Sequence, residues 1–252
     1  TMITYIQDAM HNSVEVIHNC SIEKIQFSGK GHTQKATGII GKIKPAHTKS
    51  LPNKYSTGPI SISTGLIIVA SGAIESPSLL MRSNHPDPEN AIGRGLVLHP
   101  SLPIIGLQNK SLVNYRGITG SMYSDHFYNS LGFYYECLFG HPIYASGIVP
   151  GFGPSHFEFM KKYQQISGFG VMLVDTPDQK NKVRWNSHLK KTEIFYRLND
   201  SDKKRLRIAA EKGIEIMFSG GATEAMLPSE EAIGPLSRPH FHSKKEASYC
   251  RE

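Results

Sequence analysis

Residues 66–83 constrain the fold more than any other part of the chain. They begin with a run of apolar residues at 66–70, continue through the small residues 71–73, and then show the leucine spacing of a helix. A continuous apolar run is typical of a buried parallel strand. Small residues let the backbone approach a ligand closely, and the free N–H groups of a following helix point to the same place. The pattern therefore predicts a nucleotide site at the carboxyl edge of an α/β sheet.

Two motifs in this part of the chain resemble the glucose–methanol–choline (GMC) flavoprotein oxidoreductases. The first is the family signature of small residues, a Ser-Pro pair and paired aliphatic residues, matched here by Gly72, Ala73, Ser76, Pro77, Leu79, Leu80 and Ser83. Residues 84–86 replace the usual Gly-aliphatic-Gly end of this signature. The second motif, residues 92–100, is Ile-Gly-Arg-Gly-Leu-Val-Leu-His-Pro and resembles a segment found at this distance in the family. The chain as a whole resembles the central portion of the family's architecture.

The resemblance implies FAD as the cofactor and an alcohol as the substrate. Contacts with the cofactor are expected at Ile22, Ala70, Ser71, Gly72 and Ser76. In the family, an aliphatic residue at the position of Ile22 contacts the adenine through its backbone, and an ordinary core isoleucine is the alternative. The implied reaction transfers a hydride from the CH–OH group of the alcohol to FAD, with oxygen or another carrier as the electron acceptor.

The order of the sequence patterns predicts an α/β part followed by an α+β part. Residues 1–107 are expected to form an incomplete FAD-binding domain with a parallel sheet, a β-hairpin and helices. Its predicted elements are a helix at 4–11, a short strand at 14–17, hairpin strands at 20–27 and 36–43, a loop at 44–58, the strand at 66–70, the helix that follows it, and an apolar segment at 103–107.

Residues 108–228 are expected to form a substrate-binding domain built on an antiparallel sheet. The predicted strands are 132–137, 147–150, 169–174, 183–185 and 193–198, with helices at 154–165 and 201–218. Asn199 or Asp200 is expected to cap the longer helix. Residues 174–183 are interpreted as a hairpin connection. Residues 229–252 are expected to form a C-terminal loop, because the end of the chain contains Pro228, Gly234, Pro235 and Pro239.

The chain lacks two sequence features that the family resemblance leads us to expect. No strand–GxGxxG–helix pattern precedes residue 20, so the chain is expected to begin after the pyrophosphate motif. His240 and His242 are not followed by the family's Gly-Thr pattern, so no catalytic residue is assigned. The intact protein is expected to be an FAD-dependent alcohol oxidoreductase, and this chain alone is expected to be inactive. A truncated or degenerate descendant without catalysis is the alternative.

Composition and charge weigh against other functional classes. The net charge of +7 arises from scattered lysine and arginine residues, so nucleic-acid binding is not expected. The three cysteines are too few and too far apart for a disulfide framework or a zinc site. His240 and His242 could offer two metal ligands, but no carboxylate or cysteine lies nearby in sequence, so a surface loop is favoured and no metal site is expected. No apolar run approaches the roughly 20 residues of a membrane span, and a cytoplasmic location is expected.

Overall fold

The computed structural model describes residues 4–29, 31–46, 52–116, 118, 120–138, 140–149, 151–229 and 239–251. The strands are β1 (Cys20–Ser28), β2 (Lys35–Ile43), β3 (Gly58–Ser63), β4 (Ser101–Gln108), β5 (Tyr123–Ser124), β6 (Phe133–Cys137), β7 (Ile166–Leu173), β8 (Lys182–Asn186), β9 (Lys191–Phe195), β10 (Ala222–Met226) and β11 (His240–Phe241). The helices are α1 (Tyr5–His11), α2 (Gly72–Arg82), α3 (Tyr128–Leu131), α4 (Pro142–Ile148), α5 (Gly153–Met160) and α6 (Asp200–Ser219). Short 3₁₀ segments are Gly31–Thr33, Tyr163–Gln165 and Lys244–Arg251.

These elements form two compact units. The first unit comprises Thr1–Leu96 and Asp178–Tyr196, and the second comprises Val97–Pro177 and Arg197–Glu252. The boundaries differ from the predicted ranges 1–107 and 108–228, because β4 lies in the second unit and the β8–β9 hairpin lies in the first. The roles of the two parts in binding cofactor and substrate stay predictions.

The first unit is built on a three-stranded antiparallel sheet in the order β1–β2–β3, with β8–β9 as a separate hairpin. The helix α2 packs against β1 and against both strands of the hairpin. The buried aliphatic side chains of this unit are Ile25, Ile43, Leu79, Leu96 and Val183. The β1–β2 hairpin confirms the prediction made from alternating apolar residues. The third strand, β3, was not predicted, although Ile60 and Ile62 alternate with small polar residues.

The predicted parallel sheet is not found in the part of the chain that the structure describes, where every strand pair is antiparallel. Residues 66–70 form no strand there, and Leu66 and Ile68 are 78% and 85% exposed. A continuous apolar run forms a buried parallel strand only where neighbours pair with its edges and cover its two faces. None of the described residues pairs with residues 66–70 in this way.

The second unit is built on a six-stranded antiparallel sheet in the order β11–β10–β4–β7–β6–β5. The side chains of neighbouring residues in β4 point to opposite faces of the sheet, as in any pleated strand. Ile104 belongs to a core that includes Ile214 of α6, whereas Ile105 belongs to a second core with Val149 and Tyr163. The sheet is therefore covered by α6 on one face and by the region of α4 on the other. The predicted antiparallel sheet with a long helix is confirmed.

The helix α6 follows from local sequence signals. The Asn199 side chain accepts a hydrogen bond from the Asp202 backbone N–H at 2.8 Å, which confirms the predicted N-cap. Ala210, Ile214 and Met217 recur at helical spacing and are buried against the sheet.

Several predicted elements in the second half of the chain are wrong. Residues 147–150 were expected to form a strand, but α4 extends to Ile148. Residues 174–183 do not connect a hairpin, because β7 pairs with β4 and β6 while β8 pairs with β9. Instead of the predicted C-terminal loop, residues 239–251 include β11 and a 3₁₀ helix that packs against α6. Residues 230–238 of that predicted loop lie outside the described residues.

Candidate functional site

The turn that enters α2 is open. Ala70, Ser71 and Gly72 are exposed, and Ser76 is half-buried one turn into the helix. The Ser71 side chain makes no capping hydrogen bond, whereas the Ser71 backbone N–H donates to Ser76 Oγ at 3.1 Å. Gly72 has a φ of +78°, and no described atom lies within 4 Å of the position that a Cβ would take. The space beside Gly72 at the start of α2 is therefore open.

The other end of α2 is fastened to β1 by two consecutive residues. Ser83 Oγ accepts a hydrogen bond from the Ile25 backbone N–H at 2.8 Å and donates to the Leu79 carbonyl at 2.6 Å. The Arg82 guanidinium donates to the carbonyls of Ile22 and Glu23, each at 2.8 Å. The β1–β2 register shifts between Ile22 and Lys24, which leaves these backbone groups available to the helix. The serine at the end of the first motif thus has a structural role.

Replacing Ser83 by alanine is expected to lower the free energy of unfolding of the first unit by about 2 kcal/mol, because a buried N–H group loses its acceptor. Ser83 is 3% exposed, so water does not replace the hydroxyl. The measurement is urea unfolding followed by the fluorescence of Trp185, the one tryptophan of the chain, which lies in the same unit. Ser61→Ala, at an exposed position of β3, is the matched control. Equal effects of the two substitutions would contradict the role given to Ser83.

The structure brings four of the five predicted cofactor positions together and separates the fifth. Ala70, Ser71, Gly72 and Ser76 lie at the start of α2, whereas Ile22 contacts Arg82 at its end. With a rise of about 1.5 Å per residue, the two ends of this helix are about 15 Å apart. A compact ligand cannot contact both ends, but an elongated dinucleotide can.

A groove beside Ile22 was not predicted from the sequence. It lies within the first unit and is lined by residues that include Lys24, Arg82, Trp185 and Lys190. The Arg82 guanidinium lies over the Trp185 ring, 5.6 Å from its centroid. The one tryptophan of the chain was the available sequence signal for this groove. Its contact with Arg82 could not be predicted, because the two residues are far apart in sequence.

The second motif runs beside β8. The Gly93 carbonyl accepts a hydrogen bond from the Val183 N–H at 2.7 Å, and Leu96 N–H donates to the Asn181 carbonyl at 3.2 Å. Gly93 has a φ of +80°, and a Cβ there would lie 2.4 Å from the Val183 carbonyl oxygen. Only glycine allows this approach without displacing the strand.

Two buried carboxylates organise the backbone of the second unit. Asp175 accepts hydrogen bonds from the N–H groups of Leu98 and His99 at 3.0 and 3.1 Å. Asp202 accepts from the backbone N–H and the hydroxyl of Thr176 at 2.8 and 3.0 Å and forms an ion pair with Arg205. Burial raises the pKa of Asp202, but the bonds from Arg205 and Thr176 outweigh this effect and lower the pKa below its ordinary value. Both carboxylates are occupied by structural contacts.

The described residues contain no group of three or more His, Cys, Asp or Glu side chains arranged to hold a metal ion. His240 lies in β11 and His242 follows it. No third potential metal ligand joins this pair among the described residues. The three cysteines are free thiols. Across the described ranges, no helix combines the length and the apolar character that a membrane span requires.

Comparison with known proteins supports the resemblance drawn from the two motifs. Residues 1–101 match the family model described as GMC oxidoreductase. An uncharacterized GMC-type oxidoreductase of Mycobacterium tuberculosis is 29% identical over 163 residues, which cover 64% of this chain and 25% of that protein. A long-chain-alcohol oxidase of Arabidopsis thaliana is 30% identical over 225 residues, which cover 84% of this chain and 27% of that protein. The chain spans about a quarter of the length of the curated relatives it matches. The predicted relation to the GMC oxidoreductases is confirmed.

Proposed function

We propose, from the GMC oxidoreductase match of residues 1–101, that this chain is part of an FAD-dependent enzyme that oxidises an alcohol. The observation that carries the proposal is the open turn at residues 70–72, which lies inside the matched region. The relative named as a long-chain-alcohol oxidase supports an alcohol as the substrate. The first unit would bind the cofactor and the second unit would bind the alcohol.

The residues at the start of α2 fit the diphosphate of a dinucleotide. An anion is favoured at a helix N-terminus, where backbone N–H groups and the helix dipole point towards it. Gly72 leaves open the space that a side chain would fill. The Ser76 hydroxyl accepts from the Ser71 N–H and keeps its own proton for donation to a phosphate oxygen. These features support a role of Ala70, Ser71, Gly72 and Ser76 in holding FAD.

The remaining cofactor contacts belong to the same proposal. Ile22 would contact the adenine through its backbone, and the hydrogen bonds from Arg82 to the carbonyls of Ile22 and Glu23 hold this part of β1 in position. Flavin, when bound, supplies the chemistry of accepting a hydride from the carbon that carries the hydroxyl. Oxygen or another carrier would take the electrons, and a cytoplasmic location stays a prediction.

The substitution Gly72→Val tests the cofactor site. We expect it to weaken FAD binding at least tenfold in the full-length protein, because the branched side chain fills the space in front of the helix N-terminus. Binding is measured by titration of the apoprotein with FAD, followed by flavin fluorescence. Alcohol turnover is then measured with and without added FAD and is expected to depend on it.

Gly31→Ala is the matched control, because Gly31 also has a positive φ, of +56°, and also has no described atom within 4 Å of its Cβ position. It lies in the same unit, outside the proposed site. FAD affinity unchanged by Gly72→Val would overturn the assignment of the turn. Failure of the wild-type full-length protein to bind FAD at all would instead favour a non-catalytic descendant.

A further inference from the structure

The second unit contains a basic groove beside the first turns of α6, which the 3₁₀ segment Lys244–Arg251 helps to line. The volume of this groove is about 500 Å³, within the range of small-molecule sites. Asp200 and the half-buried Ile208 are part of its lining. Its other described lining residues are all cationic: Lys203, Lys204, Arg207 and Arg251. Three of these cations come from adjacent turns of one helix, and the fold brings the fourth to them from the C-terminal segment.

Two of the positive charges in this groove are not neutralised by the protein. Lys204 and Arg207 have no ion-pair partner among the described residues. Every other charged side chain of α6 has one, in the pairs Asp200–Lys203, Asp202–Arg205, Glu211–Arg251 and Lys212–Glu215. The unpaired charges of this helix are therefore confined to the groove.

The placement of these cations is unfavourable for the helix itself. Lys203 and Lys204 precede Arg207 by four and three residues, so both like charges neighbour the guanidinium on the helix surface. The two lysines also lie about one turn from the N-terminus of α6, where the helix dipole disfavours cations. Arg251 Nε donates to Glu211, but no described residue accepts from the two NH₂ groups of Arg251. An anion in the groove would remove the repulsion and accept from these donors.

We propose that this groove binds a soluble phosphorylated compound, whose phosphate oxygens accept hydrogen bonds from Lys204, Arg207 and Arg251. A guanidinium group presents its N–H donors in a fixed fork that matches the oxygens of a phosphate, and lysine adds a mobile ammonium group. A diphosphate offers more charge and more acceptors than a single phosphate, so it is the preferred class.

The ligand is soluble rather than part of a lipid surface. Binding to a membrane surface combines cations with exposed apolar side chains that insert among the lipids. Ile208 is the one apolar side chain in the described lining, and it is half-buried. The groove uses no residue of the first unit, so its occupation is independent of the proposed FAD site.

The test is calorimetric titration of the FAD-saturated full-length protein with inorganic pyrophosphate at pH 7 and about 0.15 M salt. Saturation with FAD keeps the proposed cofactor site at α2 occupied. We expect pyrophosphate to bind about tenfold more tightly than sulfate, which offers less charge and fewer acceptors. Phosphatidylcholine vesicles that contain phosphatidate present a phosphate on a lipid surface, and the protein is not expected to sediment with them.

Variants identify the residues involved. Arg207→Gln is expected to weaken pyrophosphate binding about tenfold, as for the loss of one charge-assisted hydrogen bond. Without pyrophosphate, the same substitution is expected to leave the melting temperature equal or higher, because it removes a repulsive charge. Lys212→Gln is the matched control, since it makes the same change in net charge in the same helix, but Lys212 pairs with Glu215 and does not line the groove. It is expected to change the affinity less than about twofold.

Three outcomes would overturn this proposal. One is the absence of pyrophosphate binding to the wild-type protein. Another is an equal loss of affinity in Arg207→Gln and Lys212→Gln, which would show a general attraction of anions to a basic protein. The third is sedimentation with phosphatidate vesicles without binding of pyrophosphate, which would assign the groove to a lipid surface. Gly72→Val is expected to leave the pyrophosphate affinity unchanged, so this inference and the proposed function fail separately.

Discussion

Replacing Gly93 by alanine is expected to lower the free energy of unfolding of the first unit by about 3 kcal/mol. Two effects add at this position. An L-residue at a φ of +80° is strained, by about 1–2 kcal/mol. The new Cβ would also lie 2.4 Å from the Val183 carbonyl oxygen, which is a backbone atom of β8 and cannot rotate away. The hydrogen bond from Val183 N–H to Gly93 would lengthen as the segments separate.

Urea unfolding followed by Trp185 fluorescence measures this effect, since Trp185 lies in β8 two residues from Val183. Gly72→Ala is the matched control. Its φ of +78° imposes nearly the same backbone strain, but no described atom lies within 4 Å of its Cβ position. Gly72→Ala is therefore expected to lower the free energy of unfolding by only about 1 kcal/mol. Equal losses for the two variants would show that the close approach to β8 does not matter.

The comparison of these glycines shows what a motif can and cannot predict. Both were found from the sequence as members of two blocks that resemble one family. The motif itself did not distinguish Gly93, whose hydrogen is required by a neighbouring strand, from Gly72, which borders open space. That difference depends on Val183, which is distant in sequence.

Elements with local signals were predicted well. The helices α2 and α6 have apolar residues at helical spacing, and α6 has its cap at Asn199. The β1–β2 hairpin has alternating apolar residues on both sides of a turn. Each of these patterns is complete within a short stretch of chain, so no knowledge of distant contacts is needed.

Elements defined by distant partners were missed. The strand β10 is held by pairing of Ala225 with Gly106, and its short sequence, which includes Thr223 and Glu224, does not predict that pairing. Residues 66–70 gave the opposite error, because an apolar run predicts a strand but does not supply the partner strands. The contact of Asn114 with β7 was not predicted for a related reason. Asn114 is oriented by the Ile166 carbonyl, and this contact is visible only in the folded chain.

Replacing Asp202 by asparagine is expected to lower the free energy of unfolding of the second unit by about 3 kcal/mol at pH 7. Asp202 is 1% exposed, and its carboxylate accepts hydrogen bonds from Thr176 and pairs with Arg205. An amide keeps one acceptor oxygen but places an NH₂ donor where the second acceptor is needed, and it leaves the Arg205 charge without its partner. Hydrogen exchange of the β7 amides, followed by mass spectrometry, measures stability within this unit. Asp200→Asn is the matched control, because the Asp200 side chain lies in the same helical turn but is 95% exposed. It is expected to have little effect.

The same carboxylate makes the second unit sensitive to acid. The pKa of Asp202 is lowered in the folded protein, so between this value and the unfolded pKa of about 3.9 the unfolded chain binds more protons. The stabilisation by Asp202 is thus fully present above the unfolded pKa and is lost as the pH falls through the folded pKa. We expect the difference in stability between wild-type protein and Asp202→Asn to be constant from pH 7 to pH 5 and to shrink below pH 4. A difference that stays constant down to pH 2 would mean that packing around residue 202, and not the charge of its carboxylate, stabilises the start of α6.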